Sequence, residues 1–357
     1  MKREAWLAAL LGVVAACGGG STPPPKDPDP SLASTATTST SEPTSTTSPS
    51  STGPKIEGPA APTNSDDVKK GIAALKAGDI NGARASFEVA IQKNPKQADA
   101  HHYMGLVLDQ TGDKAGAEQS YRKALELQPD LEEAGTNLAA ILVETGKNDE
   151  AAALMKKAIA KNPKNAALHV NLAMALSGKG DVDGANKSFE EAIKLAPDQA
   201  INLVTYAAHL AKNKKEADAI AKLKQAEKTG ANDAGVLASV ALEYKNMKEF
   251  KACIAVLDKA VHVKDVAELR IYRGSCKLGL KDLAGATTEF KDAVAKEPNN
   301  AVAHYSYGNA LADGGKLEDA IKEWEATVKL APDSPPAKNA EKKIEIAKKK
   351  LAGGPKK

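Results

Sequence analysis

The sequence has 357 residues, 49 lysines and arginines against 46 aspartates and glutamates, and 4% aromatic residues, for a net charge of +3 with histidine neutral. That length holds one or two globular domains or one long repeat array, and the near-even charge gives no footing to a nucleic-acid binder or an acidic tail protein. So few aromatics are low for a sandwich or barrel and ordinary for helices packed through alanine and leucine.

Lys2 and Arg3 precede a twelve-residue apolar run over 5–16. A bilayer takes about 20 residues to cross, so this run is too short to span and has the size of a secretory h-region. It closes with Val14-Ala15-Ala16-Cys17 and three glycines. The motif resembles the bacterial lipobox, where small residues before the cysteine admit the peptidase. The resemblance implies cleavage before Cys17, acylation of its sulfur and new amino terminus, and, because Gly18 rather than aspartate follows, sorting to the outer membrane. A single acyl chain binds marginally, at about 0.8 kcal/mol per buried methylene, so the three implied chains anchor lastingly. The alternative is an ordinary signal peptide over 1–16 with an incidental cysteine.

Residues 18–63 are glycine, serine, threonine, proline and alanine with scattered charges. A stretch this poor in apolar side chains cannot offset its ordering entropy and is expected to be a disordered tether. Its 46 residues reach about 140 Å extended and roughly 40 Å as a relaxed coil.

From residue 64 a pattern recurs. Pro95, Pro129, Pro163 and Pro197 stand 34 residues apart, Pro298 and Pro332 likewise, and the interval between the two sets is one residue short of three periods. Eight units follow, 64–97, 98–131, 132–165, 166–199, 200–233, 234–266, 267–300 and 301–334, two of them without the proline and one residue shorter in all. The eighth position is small throughout (Gly71, Gly105, Ala139, Ala173, Ala207, Ala241, Gly274, Gly308) and the twenty-fourth is always bulky (Phe87, Tyr121, Met155, Phe189, Leu223, Leu257, Phe290, Trp324). Apolar residues on either side of position 15 follow helical spacing. Glycine at 15 takes the turn, and proline at 32 stops the second helix. These units resemble tetratricopeptide repeats, whose period is 34. The resemblance implies an all-α, right-handed superhelical solenoid of eight helix-turn-helix units, with the first helices lining its concave side. Residues 335–352 read as a capping helix with Ala340, Ile344, Ala347 and Leu351 on one face, and 353–357 as a basic tail. Lys214, Lys248 and Lys281 replace the turn glycine in units five to seven, where longer or looser turns and a change of curvature are expected.

No catalytic motif stands out, so neither an enzyme nor a cofactor is expected. Asp181 and Asp183 before Gly184 lack the remaining ligands of a calcium loop and suit a helix start. His101, His169 and His304 share position 4 of different units, which suits packing on the preceding unit rather than a metal. Cys253 and Cys276 fall in neighbouring helices, either as a disulfide or as buried thiols packing as small hydrophobes; with Cys17 they are too few for a disulfide framework and match no zinc spacing.

Function is then expected in binding at the concave face. The positions that such repeats use for contact give His102, Tyr103, Leu106 and Asp109 in unit two, Asn137 in unit three, and Val170, Asn171 and Met174 in unit four. Later units give Val204, Leu242, Ile271 with Tyr272, and Tyr305 with Asn309. The middle of that set is apolar and its N-terminal end acidic, which fits an extended or helical protein segment with apolar anchors and a basic end. The resemblance is to repeat lipoproteins of the Gram-negative outer membrane, facing the periplasm, that help assemble pili, motility or secretion complexes. The competing expectation is a binder of cell-wall or surface glycan through Tyr103, Tyr272, Tyr305 and the asparagines. A third is an accessory subunit that delivers substrate to an enzyme.

Overall fold

The structure is a computed structural model that describes residues 65–352. The signal segment, Cys17, the tether and the tail over 353–357 lie outside the described residues. The chain divides into two compact units, with the boundary between Glu191 and Ala192. The first carries α1 (Asp66–Ala77), α2 (Ile80–Lys93), α3 (Ala98–Gln110), α4 (Lys114–Leu127), α5 (Glu132–Glu144), α6 (Asn148–Lys161) and α7 (Ala166–Lys179). The boundary falls inside α8 (Val182–Leu195). The second carries α9 (Ala200–Lys212), α10 (Glu216–Thr229), α11 (Ala234–Asn246), α12 (Phe250–Val263), α13 (Ala267–Gly279), α14 (Leu283–Lys296), α15 (Ala301–Asp313), α16 (Leu317–Leu330) and α17 (Pro335–Ala352). Within each unit, consecutive helices pack as antiparallel pairs and each pair packs on the next. Every even-numbered helix from α2 to α16 has 14 residues.

The small and bulky positions explain the close pairing. All eight residues at position 24 are buried, each worth roughly 1.5–3 kcal/mol on removal from water. A Cβ added to Gly105 would lie 2.6 Å from the Tyr121 ring, and one at Gly274 the same distance from Phe290. Glycine therefore faces the aromatic rings of Phe87, Tyr121, Phe290 and Trp324, while the repeat of Phe189 carries Ala173 at that position. The repeats with Met155, Leu223 and Leu257 at position 24 carry alanine at position 8 instead.

The helix starts share a device that the sequence suggested only at Asp181. Asp79, Asp113, Asp181 and Asp282 each accept a hydrogen bond from the backbone N–H three residues on, at 2.8–2.9 Å, and that residue is always glycine. Asp181 is thereby a helix cap. The position-4 histidines form a second periodic device. Their Nε2 atoms donate to the carbonyl of the proline six residues back: His101 to Pro95 at 2.9 Å, His169 to Pro163 at 3.0 Å and His304 to Pro298 at 2.9 Å.

The turns of units five to seven are neither longer nor looser, contrary to expectation. Lys214, Lys248 and Lys281 take the left-handed conformation at φ 60°, 63° and 63°, where the other turns place Gly78, Gly112, Gly146, Gly180 and Gly315. In all eight turns the next residue's N–H closes on a carbonyl five residues back, at 2.7–2.9 Å. The packing of two helices outweighs the conformational penalty of one lysine. The missing residue lies between α12 and α13, joined by three residues where the neighbouring connections have four.

The terminal helix α17 packs on α16 and α15. Its buried residues are Ala337, Ala340 and Ala347, with Ile344 packed partly buried against the same cluster of Leu311, Ile321 and Trp324. Leu351, expected on that face, is 41% exposed.

Candidate functional site on the first helices

The odd-numbered helices α3, α5 and α7 of the first unit, and α9, α11, α13 and α15 of the second, carry the proposed contact residues.

In the first unit, much of the expected surface is internal. His102, Tyr103, Leu106 and Asn137 are buried. The Asn137 amide donates to His102 Nε2 at 3.1 Å, and Phe87 stacks on Tyr103 with centroids 5.5 Å apart. Burial pushes the His102 imidazole down to about 4, so the ring is neutral at physiological pH. These four residues hold α3 to its neighbours rather than offering free side chains. Asp109 is bonded to Lys114 at 2.6 Å, and Lys114 also reaches Glu144 at 2.7 Å. Val170, Asn171 and Met174 on α7 remain half-buried, with apolar and amide surface open to a ligand.

In the second unit Val204 is buried, while Leu242, Ile271, Tyr272, Tyr305 and Asn309 are half-buried. The Tyr272 hydroxyl donates to Glu268 at 2.7 Å, and burial raises its pKa well above the ordinary phenol. Asn309 accepts from the Trp324 indole at 3.2 Å. Lys343 of α17 stands 5.9 Å from the Tyr305 ring centroid and 5.6 Å from Trp324, so the capping helix places a cation at this end of the face. Among the described residues, the tyrosines expected to serve a glycan therefore differ: Tyr103 is internal, Tyr272 is bonded within its helix, and Tyr305 lies under Lys343.

The two cysteines of the second unit are joined. Cys253 on α12 and Cys276 on α13 form a disulfide with Cα atoms 6.4 Å apart. Beside it, Arg273 bridges Asp258 at 2.8 Å and Glu289 at 2.7 Å, and Lys277 donates to Glu289 at 2.7 Å. Burial pushes the Glu289 carboxyl up, and its hydrogen bonds to Arg273 and Lys277 outweigh this and hold it below the usual range. Three helices are thus tied together covalently and ionically. Among the described residues, no group of histidine, cysteine, aspartate and glutamate is arranged to hold a metal, and no helix is long and apolar enough to cross a membrane.

A family model described as "Cilia and flagella-associated protein 70 C-terminal domain", a repeat model of this type, matches residues 31–310, and one described as "Tetratricopeptide repeat" matches 277–344. The chain belongs to the tetratricopeptide-repeat family. Among curated proteins, none matches it. Among solved structures, this tetratricopeptide-repeat chain is similar to yeast Tom70, with 17% identity and a TM-score of 0.64 over 84% of this chain and 68% of the other. A tetratricopeptide repeat protein from Parabacteroides merdae ATCC 43184 matches at 18% identity and a TM-score of 0.49, over 69% of this chain and 98% of its own. At 17% identity the likeness to yeast Tom70 is one of fold. Folds of this family generally serve as protein-interaction scaffolds, and the all-helical repeat architecture is that of such a scaffold.

Proposed function

We propose that this tetratricopeptide-repeat protein is a non-enzymatic scaffold, lipidated at Cys17 and held on the periplasmic side of a Gram-negative outer membrane. It binds protein partners through the first helices of its repeats during assembly of an envelope machine such as a pilus, motility or secretion complex. The observation that carries the binding reading is the set of half-buried apolar and amide side chains on those helices. Val170, Asn171 and Met174 provide it in one unit, and Leu242, Ile271 and Tyr305 in the other. Side chains of this kind suit the apolar anchors and backbone groups of an extended or helical segment. The anchor reading rests on Val14-Ala15-Ala16-Cys17, and the Cys253–Cys276 disulfide suits an oxidising compartment outside the cytoplasm.

Labelling cells with radioactive palmitate tests the anchor. The reading expects label on the native chain and none on Cys17→Ser, with the native chain in the outer-membrane fraction. An unlabelled native chain would remove both the anchor and the assigned location.

A further inference from the structure

Lys214, Lys248 and Lys281 hold the left-handed turn position at φ 60°, 63° and 63° in three consecutive repeats of the second unit, and all three are exposed. A residue with a Cβ is disfavoured there. The other five turns use glycine and close through the same backbone bond, so lysine adds nothing to turn formation. A disfavoured backbone repeated three times without local structural return marks positions kept for their side chains.

The surrounding charge agrees. Residues 211–217, 245–251 and 278–284 hold seven lysines against three carboxylates, whereas the matching stretches of the first four repeats hold four against seven. One of the three carboxylates, Asp282, is engaged in capping α14 through the Gly285 N–H at 2.8 Å. The same edge exposes apolar side chains: Leu278 is 36% and Leu280 42% exposed, where the second repeat has Asp109 and Thr111. The three stretches contain no arginine.

From this we infer that the turn edge of repeats five to seven docks on an anionic lipid surface. The lysines lie against phosphate headgroups, and Leu278 and Leu280 enter the boundary with the acyl chains. Lysine is a compact point charge on a flexible stem and needs no fixed partner geometry, which suits a fluid layer of headgroups. Exposed leucines flanked by lysines have the composition of an interfacial segment. The edge borders the first-helix contact residues, since Leu278 holds the repeat position of Asp109, and its binding does not depend on acylation of Cys17.

The test uses the full chain carrying Cys17→Ser, so that no acyl chain contributes. It is sedimented with vesicles of phosphatidylcholine alone and with added phosphatidylglycerol. The native turn lysines are expected to favour the anionic vesicles. The combined substitution Lys214→Gly, Lys248→Gly and Lys281→Gly is expected to lower that partition on the order of 100-fold, at roughly a factor of five per lysine near the surface. Its unfolding temperature should hold or rise, because glycine suits the turn. Leu278→Ser with Leu280→Ser should lower partition while leaving its salt dependence intact. Removing Lys342, Lys349 and Lys350 from α17 should change it little. The proposal is overturned if the triple glycine variant binds as the parent does, or if the α17 variant loses as much. It is equally overturned if the parent sediments with neither vesicle or equally with both, or if the glycine variant unfolds at lower temperature.

Discussion

Single side chains in this molecule are held against their preferences at a few identifiable places. Lysine in a left-handed turn costs roughly 1–2 kcal/mol relative to a residue free of the Cβ clash, and three such lysines are present. Lys248→Gly alone is accordingly expected to raise stability by about 1 kcal/mol in urea unfolding; a drop would mean that the lysine makes a stabilising contact in the fold. Glu243 is the opposite kind of outlier, a carboxylate only 4% exposed whose pKa burial pushes up to about 7, with one long hydrogen bond from Asn246 at 3.5 Å. Its folded form binds a proton more readily than its unfolded form, so the stability it allows is full below about pH 4.5 and falls as the pH rises towards 7, by roughly 3 kcal/mol. Glu243→Gln should flatten that part of the stability profile, and an unchanged slope between those pH values would contradict the assignment. Of the two, only the lysine announces itself in the sequence by pattern. Lys248 is visible as a missing glycine, but whether the turn loosens or the lysine bends to it depends on packing. The burial of Glu243 depends on which side of α11 its neighbours cover.

At the scale of helices, the pairing rule was legible because it is written in side-chain volume. Gly105 against Tyr121 and Gly274 against Phe290 are volume matches that recur at a fixed interval, and helical spacing of apolar residues locates both partners. The concave contacts were legible only in part. His102 and Asn137 come from equivalent faces of successive first helices and find each other at 3.1 Å, so part of the expected binding surface is taken up by stacking one repeat on the next. Such pairings depend on the distance between helices, which sequence spacing does not encode. The Cys253–Cys276 bond closes a loop with a sequence separation of 23, which in the chain-entropy account stabilises by about 3 kcal/mol. Cys253→Ala with Cys276→Ala is expected to lose about that much in denaturant unfolding, and the parent should lose the same on reduction. Identical stability with and without reductant would show the thiols free. At the far end, Ala340 is fully buried in the α17 contact. Ala340→Glu should release α17, visible as proteolytic cleavage in the 331–334 connection and dye binding at the exposed Trp324 surface. Resistance to cleavage would contradict a capping role.

At the scale of the whole chain, composition and function meet in its charge distribution. The segment 335–357 carries eight lysines and two glutamates, so a chain of net +3 has −3 over its first 334 residues. The repeat family, the helical architecture and the absence of strands among the described residues follow from a 34-residue period that needs no alignment to see. The partner does not follow from it, because a binding face is the remainder left after packing: Val170, Asn171, Met174, Leu242, Ile271, Tyr272, Tyr305 and Asn309 of the expected set stay half-buried, as does Asp109, which is paired with Lys114. The central claim is that these first helices hold a protein. Its most direct test is a photo-crosslinking amino acid placed at Met174 or Ile271 in living cells, with exposed Lys156 on α6 as the outer-surface control. A scaffold yields one defined protein adduct from Met174 or Ile271 and none from Lys156. The same adduct from Lys156, or recovery from all three positions only with peptidoglycan, would contradict it.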